Sequence, residues 1–252
     1  MNQAIRLDGI ITLLQAQGSC GIAELAETFG VSEETVRRDI RRLERDGAVR
    51  KVHGGVRLPD RRAEAPWRQR LNIQADAKRR IAARAACLIE PGMTVLFDSS
   101  TTAFWLAQEV VGVRDLIVVT NSLEIAGEFC AGSDARVFLS GGAVDATYRA
   151  VFDADAIAFV RRFVPDLAIF SFVAVDAARG FLDHEPAEAD YARAVLPIAR
   201  RRVCVTDATK FQAAGRVQAA GWDQIDLFVT DQAPPADVAR AAADSQTEIW
   251  IA

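Results

Sequence analysis

The sequence predicts an α/β protein in two parts: a small N-terminal unit of helices closed by a basic hairpin, and a larger C-terminal unit built on a parallel sheet. Three observations carry this. Residues 22–57 run IAELAETF, GVS, EETVRRDIRRLERDG and AVRKVHGGVRL, which reads as helix, tight turn, arginine-rich helix and short hairpin. From residue 74 onward, strand-sized apolar runs alternate with amphipathic helices. Charge divides the chain in the same way. Residues 1–70 hold 13 Lys+Arg and 10 Asp+Glu, the remainder 17 and 24, within a net charge of −4 over 252 residues.

The arginine-rich helix is marked by its own residues. Ser32 suits an N-cap, because its hydroxyl can accept an orphan backbone N–H. Glu33 and Glu34 fall in the first turn, where the helix dipole favours carboxylates. Val36, Ile40 and Leu43 recur at helical spacing and define an inward stripe. Glu34, Arg38, Arg41 and Arg45 then point away from it, with Thr35, Arg37 and Arg42 on its flanks. The preceding helix offers Ile22, Leu25, Ala26 and Phe29 to the same core. In the hairpin, Gly54 and Gly55 follow His53 and can take positive φ at a tight turn.

A helix face crowded with arginine is poorly explained by stability, since like charges at i, i+3 and i, i+4 repel. A duplex phosphate backbone relieves that repulsion. The pattern is therefore a winged helix-turn-helix, and double-stranded operator DNA is its expected partner. Glu34, Thr35 and Arg38 stand nearest the bases, with Ser32 among the DNA-binding residues at the helix start, while Arg37, Arg41, Lys51 and Arg57 face phosphates. His53 is a wing-turn residue rather than a metal ligand, because no partner ligand stands near it. The competing reading is a solvated basic helix without a partner.

The expected divisions are 1–57 for the DNA-binding domain, 58–73 for a linker and 74–252 for an effector-sensing and oligomerising α/β domain. The linker carries Pro59 and Pro66, both helix breakers, and Trp67, which is too large and apolar for a free tether. Cys20, Cys87, Cys130 and Cys204 are scattered with no CxxC pair, and read as small buried hydrophobes of a reducing compartment. No signal peptide or transmembrane run is read, so the expected location is the cytoplasm and no membrane partner is expected. No metal or cofactor is expected either.

In the C-terminal part, AKRRIAARAACLIE, TAFWLAQEVV, LEIAGEFCA and AEADYARAVLPIA read as helices. MTVLFD, LIVVT, ARVFLS, PDLAIFSFVAV, RRVCVTD and DLFVTD read as strands. A parallel sheet of this kind binds ligands beyond the carboxyl ends of its strands. Polar groups collect there. Asp98-Ser99-Ser100-Thr101-Thr102 opens a helix whose free N–H groups and hydroxyls suit a phosphate. Thr120-Asn121, Ser140-Gly141-Gly142 and Asp207-Ala208-Thr209-Lys210 end other strands, and Lys210 supplies a cation. Asp98, Asp176, Glu188 and Asp207 can accept hydrogen bonds from hydroxyls. Each has a plain alternative as a helix cap or surface charge; together they favour a phosphorylated sugar or polyol.

At this point VSEETVRRDIRRLERDGAVRKVHGG, the AP-W-R-Q-R linker, FDSSTT, VVTNSLEIA, LSGG, DATKF and the late VTD resemble, in order and over nearly the whole length, the DeoR family of bacterial transcriptional regulators. The resemblance implies a winged-helix head, a body similar to sugar-phosphate isomerase folds, a homo-oligomer (dimer or tetramer) and a phosphorylated metabolite that relieves repression of a carbohydrate or polyol catabolic operon. The chain departs from the family where bulk replaces a common glycine, at Ser100, at Phe152 and around Phe172, which implies a narrower or more apolar pocket. An isomerase-like enzyme with an appended DNA-binding head is the alternative function, with the body's Asp, Glu and Lys as acid and base. The expected reading is no enzyme.

Overall fold

The structure is a computed structural model that describes residues 3–45, 49–52, 55–57 and 65–252. The chain divides into two compact units, Met1–Ile73 and Gln74–Ala252. His53, Gly54 and residues 58–64 of the expected linker lie outside the described residues.

The first unit opens with helix α1 (Gln3–Gln17), strand β1 (Ser19–Gly21), α2 (Ile22–Phe29) and α3 (Glu33–Arg45). Strands β2 (Arg50–Val52) and β3 (Gly55–Arg57) follow, then α4 (Trp67–Asn72). The turn between α2 and α3 is set by Gly30 in the left-handed region at φ 63°, a conformation glycine adopts without steric cost. Ser32 caps α3 as expected, its hydroxyl accepting from the Thr35 amide at 3.3 Å. Val36 and Ile40 are fully buried and Leu43 nearly so, packed with Leu25, Ala26, Ile10 and Leu14. β1, β3 and β2 form a small antiparallel sheet in that order.

Three expectations here are corrected. Gly55 does not sit at positive φ. It lies within β3, opposite Gly21, and a Cβ there would meet the Cys20 carbonyl oxygen at 2.4 Å. Its value is close strand approach, not turn geometry. Pro66 does not break a helix but starts one, because a proline before the first turn has no amide that the helix needs. Finally, only Cys20 and Cys204 are buried; Cys87 and Cys130 are exposed.

The second unit runs α5 (Ala75–Ala86), β4 (Thr94–Phe97), α6 (Thr101–Val110), β5 (Ile117–Thr120), α7 (Leu123–Gly132) and β6 (Arg136–Leu139). A hairpin of β7 (Val144–Asp145) and β8 (Ala150–Val151) leads to α8 (Ala154–Val160) and β9 (Leu167–Phe170). Then come β10 (Ala174–Asp176), β11 (Gly180–Asp183), α9 (Pro186–Val195), β12 (Arg201–Val205), β13 (Val217–Ala220), β14 (Leu227–Thr230), α10 (Ala236–Asp244) and β15 (Glu248–Ile251). The main sheet has the order β15-β14-β12-β9-β4-β5-β6, and every neighbouring pair in it is parallel. β4, β9 and β14 consist almost wholly of buried residues, as strands covered on both faces must.

The run PDLAIFSFVAV, read from sequence as one strand, is two. β9 ends at Phe170, and β10 joins a separate antiparallel sheet, β10-β11-β13. Phe172 sits between them, 3% exposed, stacked on Phe170 and tilted against Phe181 within the aromatic core. Its bulk fills that core.

Candidate functional site

The nucleic-acid face is built on α3. Its inward side holds one group that sequence periodicity did not single out. Asp39 is fully buried, and the Arg6 guanidinium of α1 donates to it at 2.6 Å. On the outward side Arg37 pairs with Glu33 at 2.8 Å, Arg41 with Glu34 at 2.7 Å, and Lys51 of β2 with Glu44 at 2.6 Å. The Lys51 hydrogen bond holds the Glu44 carboxyl below the usual carboxylate range. Crowding of arginine is thus relieved in the free protein by carboxylates one and two turns away, before any duplex phosphate is met. These pairs are exposed, and such pairs are worth roughly 0–1 kcal/mol, so a phosphate can displace the carboxylates at little cost. Arg38 and Arg57 are exposed, and neither forms an ion pair with another described residue. The hydroxyls of Ser32 and Thr35 bond each other at 2.9 Å at the open start of the helix.

In the main sheet, chain order runs outward from β4 through β5 to β6 on one side and from β9 through β12 to β14 and β15 on the other. The direction reverses between β4 and β9, so the switch point where open α/β sheets place their ligands lies at Asp98 and Ser171. Asp98 Oδ1 accepts from the Ser100 amide at 2.9 Å and its hydroxyl at 2.6 Å, and Oδ2 accepts from the Ser171 amide at 2.8 Å. Ser100 in turn caps α6 by accepting from Ala103 N–H at 3.1 Å. Ser100 therefore closes this loop with two side-chain bonds. Ser99, Thr101 and Thr102 are buried beside it.

Sequence reasoning missed Lys78. It lies on α5, only 5% exposed, and its ammonium donates to Thr101 Oγ1 at 2.8 Å. A buried ammonium at the first turn of α6 adds a full charge to the positive end of the helix dipole. The signal was present: Lys78 falls on the same helical face as Ile81, Ala82 and Ala85, all buried. A lysine in an inward stripe is unusual enough to flag.

The next strand ends continue the polar row. Thr120 Oγ1 accepts from the Ser122 amide, and Ser122 caps α7. Asn121 is fully buried; its Nδ2 donates to the Val151 carbonyl at 3.0 Å, while its Oδ1 has no hydrogen-bond partner among the described residues. Ser140 Oγ at the end of β6 and Thr230 Oγ1 at the end of β14 are likewise buried and unpartnered. So is the hydroxyl of Tyr191 on α9, a residue the sequence did not single out. Burying such a group without a partner costs about 1–3 kcal/mol. Ser171 and Thr206, also missed, bond each other across β9 and β12 at 3.1 Å.

Several expected effector residues have structural work instead. Asp207 Oδ1 accepts from the Thr209 amide and hydroxyl and so caps the 3₁₀ turn that carries Lys210. Asp231 fixes the same turn by accepting from Ala208 N–H at 2.8 Å. Lys210 is half-buried there and forms no ion pair with a described residue. Gly142 sits at φ 135°, and a Cβ on it would meet the Asp153 carboxylate at 2.2 Å. Asp153 accepts from Ala143 and Ala156 amides, which hold its carboxyl below the usual range. Gly142 thus makes room for the cap of α8, while Gly141 beside it is exposed. Asp176 belongs to the antiparallel sheet, not the strand-end row, and its carboxylate accepts from the amides of Ala178 and Arg179 in the β10–β11 turn. Glu188 lies in the first turn of α9, half-buried.

Residues 6–62 match the family model described as a DeoR-like helix-turn-helix domain, and residues 73–232 the model of a DeoR C terminal sensor domain. The glycerol-3-phosphate regulon repressor of Escherichia coli (strain K12) is 30% identical over 251 residues, with all of both chains covered. The HTH-type transcriptional repressor CsqR of Escherichia coli (strain K12) is 30% identical over 246 residues, covering 98% of this chain and 94% of that protein. Among solved structures, ribose 5-phosphate isomerase A from Methanocaldococcus jannaschii overlaps 54% of each chain at 14% identity and a TM-score of 0.40.

Proposed function

Because the chain belongs to the DeoR family of helix-turn-helix transcriptional regulators, we propose that it represses a carbohydrate or polyol catabolic operon and is released from its operator by a phosphorylated sugar or polyol. The observation that carries the effector half is the buried Lys78 ammonium on Thr101 at the start of α6, beside the switch point. The phosphate takes the free N–H groups of α6 together with Ser99, Thr101 and Thr102; Ser100, expected to join them, is committed to Asp98 and to the Ala103 amide. Lys210 approaches from the β12 end. Asn121 and Gly141 complete the row. Arg38, Glu34 and Thr35 face base edges, and Arg37, Arg41, Lys51 and Arg57 take duplex phosphates. The protein acts as a homo-oligomer, in the cytoplasm, without catalysis. Asp98 and Asp207, the carboxylates an isomerase would need free, are both engaged with backbone amides and hydroxyls.

The test couples two titrations. Calorimetry against glycerol 3-phosphate and a panel of sugar phosphates is followed by operator binding with each ligand that binds. A ligand moves the equilibrium only by its different affinity for the DNA-bound and free forms, so operator DNA must weaken ligand binding by the same factor. Lys210→Ala leaves DNA affinity intact and abolishes induction. A panel in which nothing binds, or induction that survives in the variant, refutes the assignment of the sensor site.

A further inference from the structure

We infer that Tyr191 and Asn121 read the hydroxyl-bearing end of the effector, away from its phosphate, and select a phosphorylated polyol or sugar against a phosphorylated acid. The inference rests on the effector reading above and names the chemistry at its other end.

Asn121 supplies the sharper constraint. Its Nδ2 is committed to the Val151 carbonyl at 3.0 Å, which fixes which way the amide points. The Oδ1 on the other side is buried and without a partner among the described residues. A carbonyl oxygen only accepts, so whatever completes it must bring a donor. A hydroxyl has one; an ionised carboxylate or phosphate oxygen has none. Ser140 Oγ, at the end of the neighbouring strand, is an unpartnered hydroxyl at the same level of the sheet, since Thr120 and Leu139 are paired just before them.

Tyr191 adds a group that can donate as well as accept. Its ring is 1% exposed, and its hydroxyl has no partner among the described residues. Burial first, and then the neighbouring Asp98 carboxylate, push the phenol far above its ordinary value, so it stays protonated. Tyr191 and Asn121 are joined through one short segment. Val151 N–H donates to the Asn121 carbonyl, and the ring of the next residue, Phe152, stands edge-on to Tyr191 at 5.9 Å and to Tyr148 at 5.6 Å. Phe152, bulky where the family commonly has glycine, therefore forms the aromatic wall behind this end. Orphaned polar groups this deeply buried are rare in folded proteins and call for a ligand or an ordered water.

The experiment uses the full-length protein, wild type and Tyr191→Phe. Calorimetry compares matched pairs that differ only at the far end, such as glycerol 3-phosphate with 3-phosphoglycerate and glucitol 6-phosphate with 6-phosphogluconate. Inorganic phosphate serves as competitor. The wild type should bind the hydroxyl member of a pair at least tenfold more tightly than the acid. Tyr191→Phe should lose at least tenfold for that hydroxyl member and keep wild-type affinity for inorganic phosphate. The free variant should melt no lower than wild type, because the substitution removes no hydrogen bond. Equal binding of the two members overturns the inference. So does a variant that binds the hydroxyl member as wild type does, one that loses inorganic phosphate equally, or one that melts lower. A wild type that binds no member of any pair overturns the effector reading and this inference together; the other failures leave that reading standing.

Discussion

Arg38 differs from its neighbours on α3. Arg37 and Arg41 are paired to carboxylates of their own helix, whereas Arg38 is exposed and pairs with no described residue. It is the side chain freest to meet a base edge. Arg38→Ala should cost about 1–3 kcal/mol of operator binding and relax sequence preference. Lys51→Ala should weaken all sequences alike and lower the salt slope by about one unit. Binding across a set of operator variants at several salt concentrations separates the two; unchanged affinity and preference in Arg38→Ala would move the recognition face elsewhere. Beneath the same helix, Asp39 and Arg6 form an ion pair that is almost wholly withdrawn from water. Asp39→Ala leaves a buried guanidinium and should destabilise the N-terminal unit by about 3–5 kcal/mol, while the double change Arg6→Met, Asp39→Leu should recover most of it. Denaturant melts of the full chain, followed by a probe in the N-terminal unit, decide this. A single variant as stable as wild type would show that the pair contributes nothing.

At the level of elements, β12 and β14 are tied together by more than their ladder. Asp226, just before β14, accepts from the Arg202 amide at 2.6 Å and from its guanidinium at 2.9 and 2.6 Å. These bonds to Arg202 hold the Asp226 carboxyl below its ordinary value. A lowered folded value stabilises the protein at pH above the unfolded value, about 4, and that contribution disappears as pH falls through the folded one. The pair is partly exposed, so about 1 kcal/mol is expected. Asp226→Asn should melt a few degrees lower at pH 7, with the gap closing below about pH 4. A gap that persists in acid would mean that the charge plays no part. The alternation of strand and helix from β4 to β6 was legible because each strand is a continuous apolar run and each helix has a capping serine. Ser100 and Ser122 mark those starts plainly. The antiparallel sheet was not legible: β10, β11 and β13 are three or four residues long, and β13 joins the local β10–β11 hairpin from far along the chain. Of the strand-end row, the loop residues could be read because hydroxyls after an apolar strand are conspicuous. Tyr191 could not, since nothing in ADYARAV distinguishes a buried phenol with an idle hydroxyl from an ordinary core ring. Asp176 and Gly142 misled for the opposite reason. A turn carboxylate and a glycine that accommodates a neighbour look, in sequence, the same as ligand groups.

For the molecule as a whole, one α3 reads only a few base pairs, and specific operators need paired heads on repeated half-sites. Joining two heads turns the second contact into an intramolecular one and multiplies affinity without new contacts. The full chain should therefore sediment as at least a dimer at tens of micromolar, on the order of concentrations at which such linkage is measured. A monomer under those conditions would leave no way for the C-terminal unit to set operator spacing. The strand order has a further consequence, one of timing. Every described strand and helix of the helix-turn-helix and its wing lies within the first 57 residues, with partners close in sequence. The main sheet cannot close until much later: β4 waits for β9, and β14 for β15, both made long after the wing. At synthesis rates of about 5–20 residues per second, the gap between the two units is on the order of ten to forty seconds. During each round of translation the chain thus passes through a stage in which a finished DNA-binding head trails an unfinished sensor. A message broken before β14 would fix that stage permanently, yielding a head deaf to any metabolite and, with no C-terminal unit to pair it with a second, weak on its operator.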